Sequence, residues 1–99
     1  MSAKRSTQAD DGECRELVIL NQLGIHARPA AMFVKVANQF ASEIMVETDQ
    51  DSVNGKSIMG LMMLAAGPGS RIRVHAAGQD ASEALDAIAA LVAGKFNED

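Results

Sequence analysis

The sequence predicts an α+β domain: one sheet, covered on one face by three half-apolar helices and wet on the other. Three observations carry this. Short β-prone and helical segments follow one another with short links in the order β-α-β-β-α-β-α. The segments 43–47 and 71–76 alternate polar and apolar residues, the period of a half-buried strand. The last helical segment carries a clean amphipathic stripe, which needs one surface to cover. At 99 residues there is room for one domain with a thin core.

Each element has its own local reason. Residues 1–14, MSAKRSTQADDGEC, are polar and aperiodic and read as a mobile tail, leaving residues 15–99 as the folded domain. Residues 16–20 are β-prone and form the first strand. Asn21-Gln22-Leu23-Gly24-Ile25 breaks it. From residue 27 to about 41, Ala30, Phe33, Val34, Ala37 and Ala41 fall at helical spacing. Pro29 comes early, where a helix tolerates a missing N–H. Residues 43–47 form the second strand, Thr48-Asp49-Gln50-Asp51 a turn, and residues 52–56 a weak third strand. Ser57 is an N-cap for an apolar helix from 58 to about 66, stopped by Gly67-Pro68-Gly69. In the fourth strand Ile72, Val74 and Ala76 face inward and Arg71, Arg73 and His75 outward. Asp80 or Gln79 starts the last helix, striped by Ala81, Ala84, Leu85, Ile88, Leu91 and Val92 and ended by Gly94. Phe96-Asn97-Glu98-Asp99 closes the chain as an acidic coda.

Composition removes several classes of function. Nine Lys+Arg against 13 Asp+Glu give a net charge of −4, which is wrong for a nucleic-acid binder working by bulk electrostatics. Three Phe with no Trp or Tyr leave no base-stacking platform. One cysteine, Cys14, makes no internal disulfide, and with two histidines it supplies no zinc set. Cys14 reads as an exposed bystander at the tail's end. The longest charge-free run, 57–70, is too short for a bilayer, and no signal peptide is visible. The expectation is a soluble, mildly acidic, cytoplasmic domain with no metal and no cofactor.

The chemistry concentrates in Gly24-Ile25-His26-Ala27-Arg28-Pro29-Ala30. Gly24 can turn the chain out of the first strand, and His26 sits at the start of the first helix. There the unpaired N–H groups and the positive end of the dipole make a place for a phosphate. Arg28 adds a planar cation suited to phosphate oxygens. A neutral imidazole in such surroundings is well set to act as a phosphoryl nucleophile. From local chemistry alone the plainer reading, a surface histidine capping a helix, outweighs this one. His75, on an alternating strand, reads as a solvated position. The second unusual segment is the helix after Ser57. Leu61, Leu64 and Ala65 form one stripe, and Ile58, Met59 and Met62 another, about a third of a turn away. One stripe can face the sheet. The other is read as an adaptable docking patch, against the alternative that the tail or last helix buries it. Gly55-Lys56-Ser57 lacks the upstream glycine of a P-loop.

Leu23-Gly24-Ile25-His26-Ala27-Arg28-Pro29-Ala30, followed thirty residues on by Asn54-Gly55-Lys56-Ser57-Ile58-Met59-Gly60-Leu61, closely resembles the HPr family of histidine-containing phosphocarriers of the bacterial phosphotransferase system. The likeness runs from about residue 16 to 91 and outweighs the plainer reading of His26. It implies an open-faced β-sandwich, a four-stranded antiparallel sheet of order 1-4-2-3 under three helices. It implies that enzyme I phosphorylates His26 on Nδ1, that an enzyme IIA protein receives the phosphoryl group, and that Arg28 pairs with the phosphate. Ser57 matches the serine modified by HPr kinase/phosphorylase where that enzyme exists, and Ile58, Met59 and Met62 match the partner-docking patch. The carrier is then a monomeric phosphoryl carrier rather than an enzyme, with no nucleic acid and no membrane insertion. The tail is longer than usual, Met63 stands where many sugar-transport members carry Ser or Thr, and Met62-Met63 and the ending resemble the nitrogen-branch relatives. Sugar uptake and a nitrogen-type cascade stay open, with a regulatory phosphorelay preferred. Two other classes stand beside it: an HPr-like regulatory module that acts by allosteric contact with a transcription factor or enzyme, and a small acid/base enzyme using His26. Against the latter, the motif holds no second titrating partner.

Overall fold

The computed structural model describes residues 12–22, 24–64 and 66–97. The elements run β1 (Gly12–Val18), α1 (Ala27–Ala37), β2 (Glu43–Glu47), β3 (Ser52–Asn54), α2 (Ile58–Met63), β4 (Arg71–Ala77), α3 (Ala81–Ala93) and a short 3₁₀ turn, Lys95–Asn97. The sheet is antiparallel with strand order β1-β4-β2-β3, as the family likeness implies. Among the described residues no helix is long and apolar enough to cross a membrane.

The alternation that marks strands in the sequence divides the two faces of the sheet. Ile44, Val46, Ile72, Val74 and Ala76 are buried, and Glu43, Met45, Arg71, Arg73 and His75 face the open side. Over the inner face lie Ala30, Phe33 and Ala37 of α1, Leu61 of α2, and Ala84, Leu85, Ile88 and Val92 of α3. Burying each large side chain contributes about 1.5–3 kcal/mol, so the core rests on these facing stripes.

Six boundaries differ from those expected, two of them at β3, which stops at Asn54 rather than Lys56, and at β4, which runs to Ala77 rather than Ala76. Strand β1 begins at Gly12 and ends at Val18, whereas the sequence reading places its start at Glu16 and its end at Leu20. Gly12, Glu13 and Cys14 leave the expected tail because β4 runs on to Ala77 and pairs with them; residues 1–11 of that tail lie outside the described residues. Ile19 instead exchanges hydrogen bonds with Ser70 and Gly69 at 2.9 and 2.7 Å, which leaves Leu20 exposed. Helix α1 stops at Ala37 rather than near Ala41. The amides of Ala41 and Ser42 are taken by the Asp80 carboxylate at 2.8 and 3.0 Å. Lys56 Nζ donates to the Phe40 carbonyl at 2.8 Å. Helix α2 stops at Met63, and the Ala66 carbonyl goes to the Ile25 amide at 2.9 Å. Phe96, expected in a polar coda, is 1% exposed. Lys95, Phe96 and Asn97 all take positive φ, at 59°, 54° and 62°. The cost of about 1–2 kcal/mol per non-glycine residue is offset in part by the burial of Phe96.

Asp80 is the N-cap of α3 by position, yet its side chain does not cap that helix. It ties the start of α3 to the link between α1 and β2. The Ser42 hydroxyl foremost, then the Ala41 amide, hold its carboxyl below the ordinary carboxylate range. A depressed folded pKa means that this stabilisation is present above the unfolded pKa and lost as pH falls through the folded one. Asp80→Asn, which mimics the protonated form, is therefore expected to lower Tm at pH 7. The gap between variant and parent should close as the pH is taken below about 4. Thermal melts at the two pH values check this, and a gap that widens in acid contradicts it.

Candidate functional site

His26 is placed by a loop that the rest of the fold holds tightly. The Asn21 side chain, buried, donates from Nδ2 to the Gly24 carbonyl at 2.7 Å, and the Gly24 amide donates to the Asn21 carbonyl at 3.2 Å. Gly24 takes φ +69°, and a Cβ there would stand 2.4 Å from the Ala66 carbonyl oxygen. Only glycine allows the two backbones to meet so closely. The next residue, Ile25, is buried and bonded through its amide to that same carbonyl. The chain thus enters α1 with His26 as N-cap in extended conformation.

The start of α1 is built from what it lacks. Its first intrahelical bond runs from the Ala30 amide to the His26 carbonyl at 2.9 Å. The amides of Ala27 and Arg28 therefore have no partner in the ladder, and Pro29 has no N–H to lose. The His26 side chain makes no capping hydrogen bond, so the helix-capping reading of this residue does not hold. No acidic residue stands in the first turn. Arg28 is exposed and forms no ion pair among the described residues. A positive helix end, a half-buried imidazole and an uncommitted guanidinium are thus brought together, an arrangement that stabilises an anion. Leu23, part of the motif, lies outside the described residues.

Helix α2 stands beside this loop through the Ile25–Ala66 bond. Ser57 is its N-cap, and Oγ accepts from the Gly60 amide at 3.0 Å. Leu61 is buried, whereas Ile58, Met59 and Met62 are exposed, Met59 by 71%. They are not buried under α3. Met63 of the same helix is 74% exposed, and Leu20, past the end of β1, is 49% exposed. Sequence reasoning missed both. Met63 lies outside the predicted stripe, and Leu20 was counted into the first strand. His75 is not a merely solvated position. Its Nε2 lies 2.6 Å from Glu47 Oε1, and Glu47 is held below its ordinary pKa chiefly by that hydrogen bond.

A family model described as the phosphotransferase-system HPr component phosphorylation site matches residues 14–94. The phosphocarrier protein HPr of Pseudomonas putida is 47% identical over 85 residues, covering 85% of this chain and 94% of that protein. The crystal structure of an HPr from Thermoanaerobacter tengcongensis superposes with a TM-score of 0.84 at 44% identity, covering 88% of this chain and 98% of the other. A structure described as an HPr dimer from the same organism superposes at 0.70 with 48% identity, covering 81% and 92%. With its four-stranded sheet, three helices and histidine at the head of α1, the chain belongs to the HPr family of phosphocarrier proteins of the phosphotransferase system.

Proposed function

We propose that this carrier takes its phosphoryl group on His26 from phospho-enzyme I and hands it to a histidine of an enzyme IIA protein. The observation that carries the proposal is the head of α1, where His26, two amides outside the helix ladder and the exposed Arg28 stand together in a first turn that holds no acidic residue. In the transfer the Nδ1 lone pair attacks phosphorus as the donor's N–P bond breaks. The dianion that results sits at a helix N-terminus, worth about 0.3–1 kcal/mol. Arg28 screens its charge. The apolar surface of Ile58, Met59 and Met62 receives both partners in turn, and the carrier acts as a monomer. Incubation with phosphoenolpyruvate and enzyme I should give a phosphoprotein that is lost on acid treatment, as a phosphoramidate is. An acid-stable product, or none, would overturn the proposal. Pairing the charged carrier with each enzyme IIA of its host distinguishes sugar uptake from the nitrogen-type regulatory relay, which the Met62-Met63 pair favours.

Arg28 acts on transfer and not on folding, because it is exposed and contributes no ion pair among the described residues. Arg28→Ala removes a charge-assisted contact of about 1.5–3 kcal/mol from the transition state. Phosphate uptake from enzyme I should slow by roughly ten- to a hundredfold while Tm stays within a degree or two. A large fall in Tm at normal uptake would assign it a structural role.

Ser57 is a control point on docking. Its hydroxyl oxygen already accepts the Gly60 amide, and aspartate is an equally good N-cap, so Ser57→Asp should keep or raise Tm. The new charge adjoins Ile58 and Met59, which a partner must desolvate. Uptake of phosphate from enzyme I should fall, and an unchanged rate rules this control out. HPr kinase/phosphorylase, where present, is the enzyme that would place a phosphate there.

A further inference from the structure

Among the described residues the buried polar side chains are Asn21 and Ser42, each 1% exposed. Ser42 hydrogen-bonds Asp80, past the C-terminal end of α1. Asn21 lies before the other end of that helix, in the loop that leads to His26. Burying an amide costs free energy unless its hydrogen bonds are met, and filling space makes no demand for one. Asn21 Nδ2 donates to the Gly24 carbonyl at 2.7 Å, and the same carbonyl accepts the His26 amide at 3.2 Å. A carbonyl oxygen has two lone pairs. Here one is engaged by the Asn21 side chain and the other by the backbone of the N-cap of α1.

We propose that Asn21 is a positioning residue for phosphoryl transfer, its buried amide fixing the Gly24 carbonyl and, through it, the backbone of His26. The proposal rests on His26 being the acceptor. Gly24, at φ +69°, has no side chain to limit its rotation. The His26 amide reaches only two residues back to it, the span of a γ-turn. That contact leaves the Gly24 peptide free to tilt unless a further group holds its oxygen, and Asn21 is that group. A tilt there would be passed on. The Gly24 carbonyl sets the His26 N–H, and the His26 carbonyl takes the Ala30 amide at 2.9 Å. Between those two bonds stand the imidazole and the amides of Ala27 and Arg28.

The bonds made and broken stay those at His26, where an Nδ1–P bond forms as the donor's N–P bond breaks. Asn21 neither gains nor loses a proton. It acts on alignment, and a misplacement of about 1 Å at the reacting atoms costs about a hundredfold in rate. Docking depends on exposed surface, which Asn21 does not share. Loss of its amide should therefore fall on kcat and spare KM.

The test measures kcat and KM for the full-length carrier as substrate of phosphoenolpyruvate-charged enzyme I, at a temperature where circular dichroism shows each variant folded. Val92, buried in α3, supplies a destabilised control. Asn21→Ala should lower kcat about ten- to a hundredfold, with KM within about twofold of the parent. Val92→Ala should melt lower yet keep its kcat. The His26 ring signals should move in the NMR spectrum of Asn21→Ala and stay in that of Val92→Ala. Asn21→Asp keeps the shape but sets a carboxylate oxygen where Nδ2 donated. Its deficit in kcat should narrow from about pH 8 to about pH 6, because burial raises a carboxyl pKa and the protonated acid donates again. A parent-like kcat in Asn21→Ala, an equal loss in Val92→Ala, or a change in KM alone overturns the positioning role and leaves His26 as acceptor. So does failure of both Asn21 variants to fold, which makes Asn21 a folding residue. Uptake by His26→Ala instead removes the acceptor reading beneath it.

Discussion

Replacing His26 with alanine is expected to reduce phosphate uptake from enzyme I to background, a loss of more than about 10⁴-fold, with Tm almost unmoved. The two halves of that result come from different atoms. The imidazole is the nucleophile, and nothing else in the head of α1 replaces it: the guanidinium of Arg28 is not a nucleophile, and Ala27 and Pro29 have no group to offer. The backbone of residue 26 ties the loop to the helix. Its carbonyl receives the Ala30 amide at 2.9 Å and its amide donates to the Gly24 carbonyl at 3.2 Å. Alanine keeps both, and no side-chain cap is lost because the imidazole makes none. Radiolabel transfer and a melt on the same sample measure the pair. Uptake that survives the substitution moves the acceptor elsewhere, with His75 the other histidine to examine.

A large loss of stability is expected from Gly24→Ala, by about 2–4 kcal/mol, or roughly 10–20 °C in Tm. Two costs add there. Position 24 takes φ +69°, and the new Cβ meets the backbone of Ala66 at 2.4 Å and of Gly67 at 2.8 Å, atoms that cannot swing aside. Two neighbours separate these costs. Gly69 has φ +83° but open space around a Cβ, so Gly69→Ala should lose only about 1 kcal/mol. Gly67 has neither constraint, and Gly67→Ala should be near neutral. The same series connects fold to transfer. Pushing Gly24 off Ala66 strains the Ile25–Ala66 bond that fixes the entry to α1, so phosphate uptake should fall in Gly24→Ala alone. If Gly24→Ala melts with the parent, the close approach does not hold this loop.

The head of α1 and the cap of α2 were legible in the sequence because their chemistry is local. His26, Arg28 and Pro29 fall within one turn, and Ser57 needs only the amide three residues ahead. The two faces of β2 and β4 were legible for a similar reason, since a period of two places alternate residues on opposite sides of any sheet. Periodicity is silent about where an element stops when its end is decided by a distant group. Helix α1 ends early because Asp80, far along the chain, captures the amides of Ala41 and Ser42. Cys14 reads as tail until β4 proves long enough to pair with it.

By itself the sequence determined the element order, the buried faces and the residues that head the two shorter helices, because propensity, capping and alternation act over a few bonds. The tertiary structure alone decided that Phe96 plugs the core in a left-handed turn. It also decided that Leu20 is left exposed past the end of β1, and that Cys14, His75 and Met45 share a row on the open face. These depend on pairing register and on which distant segment reaches a given group first, and no local pattern encodes either.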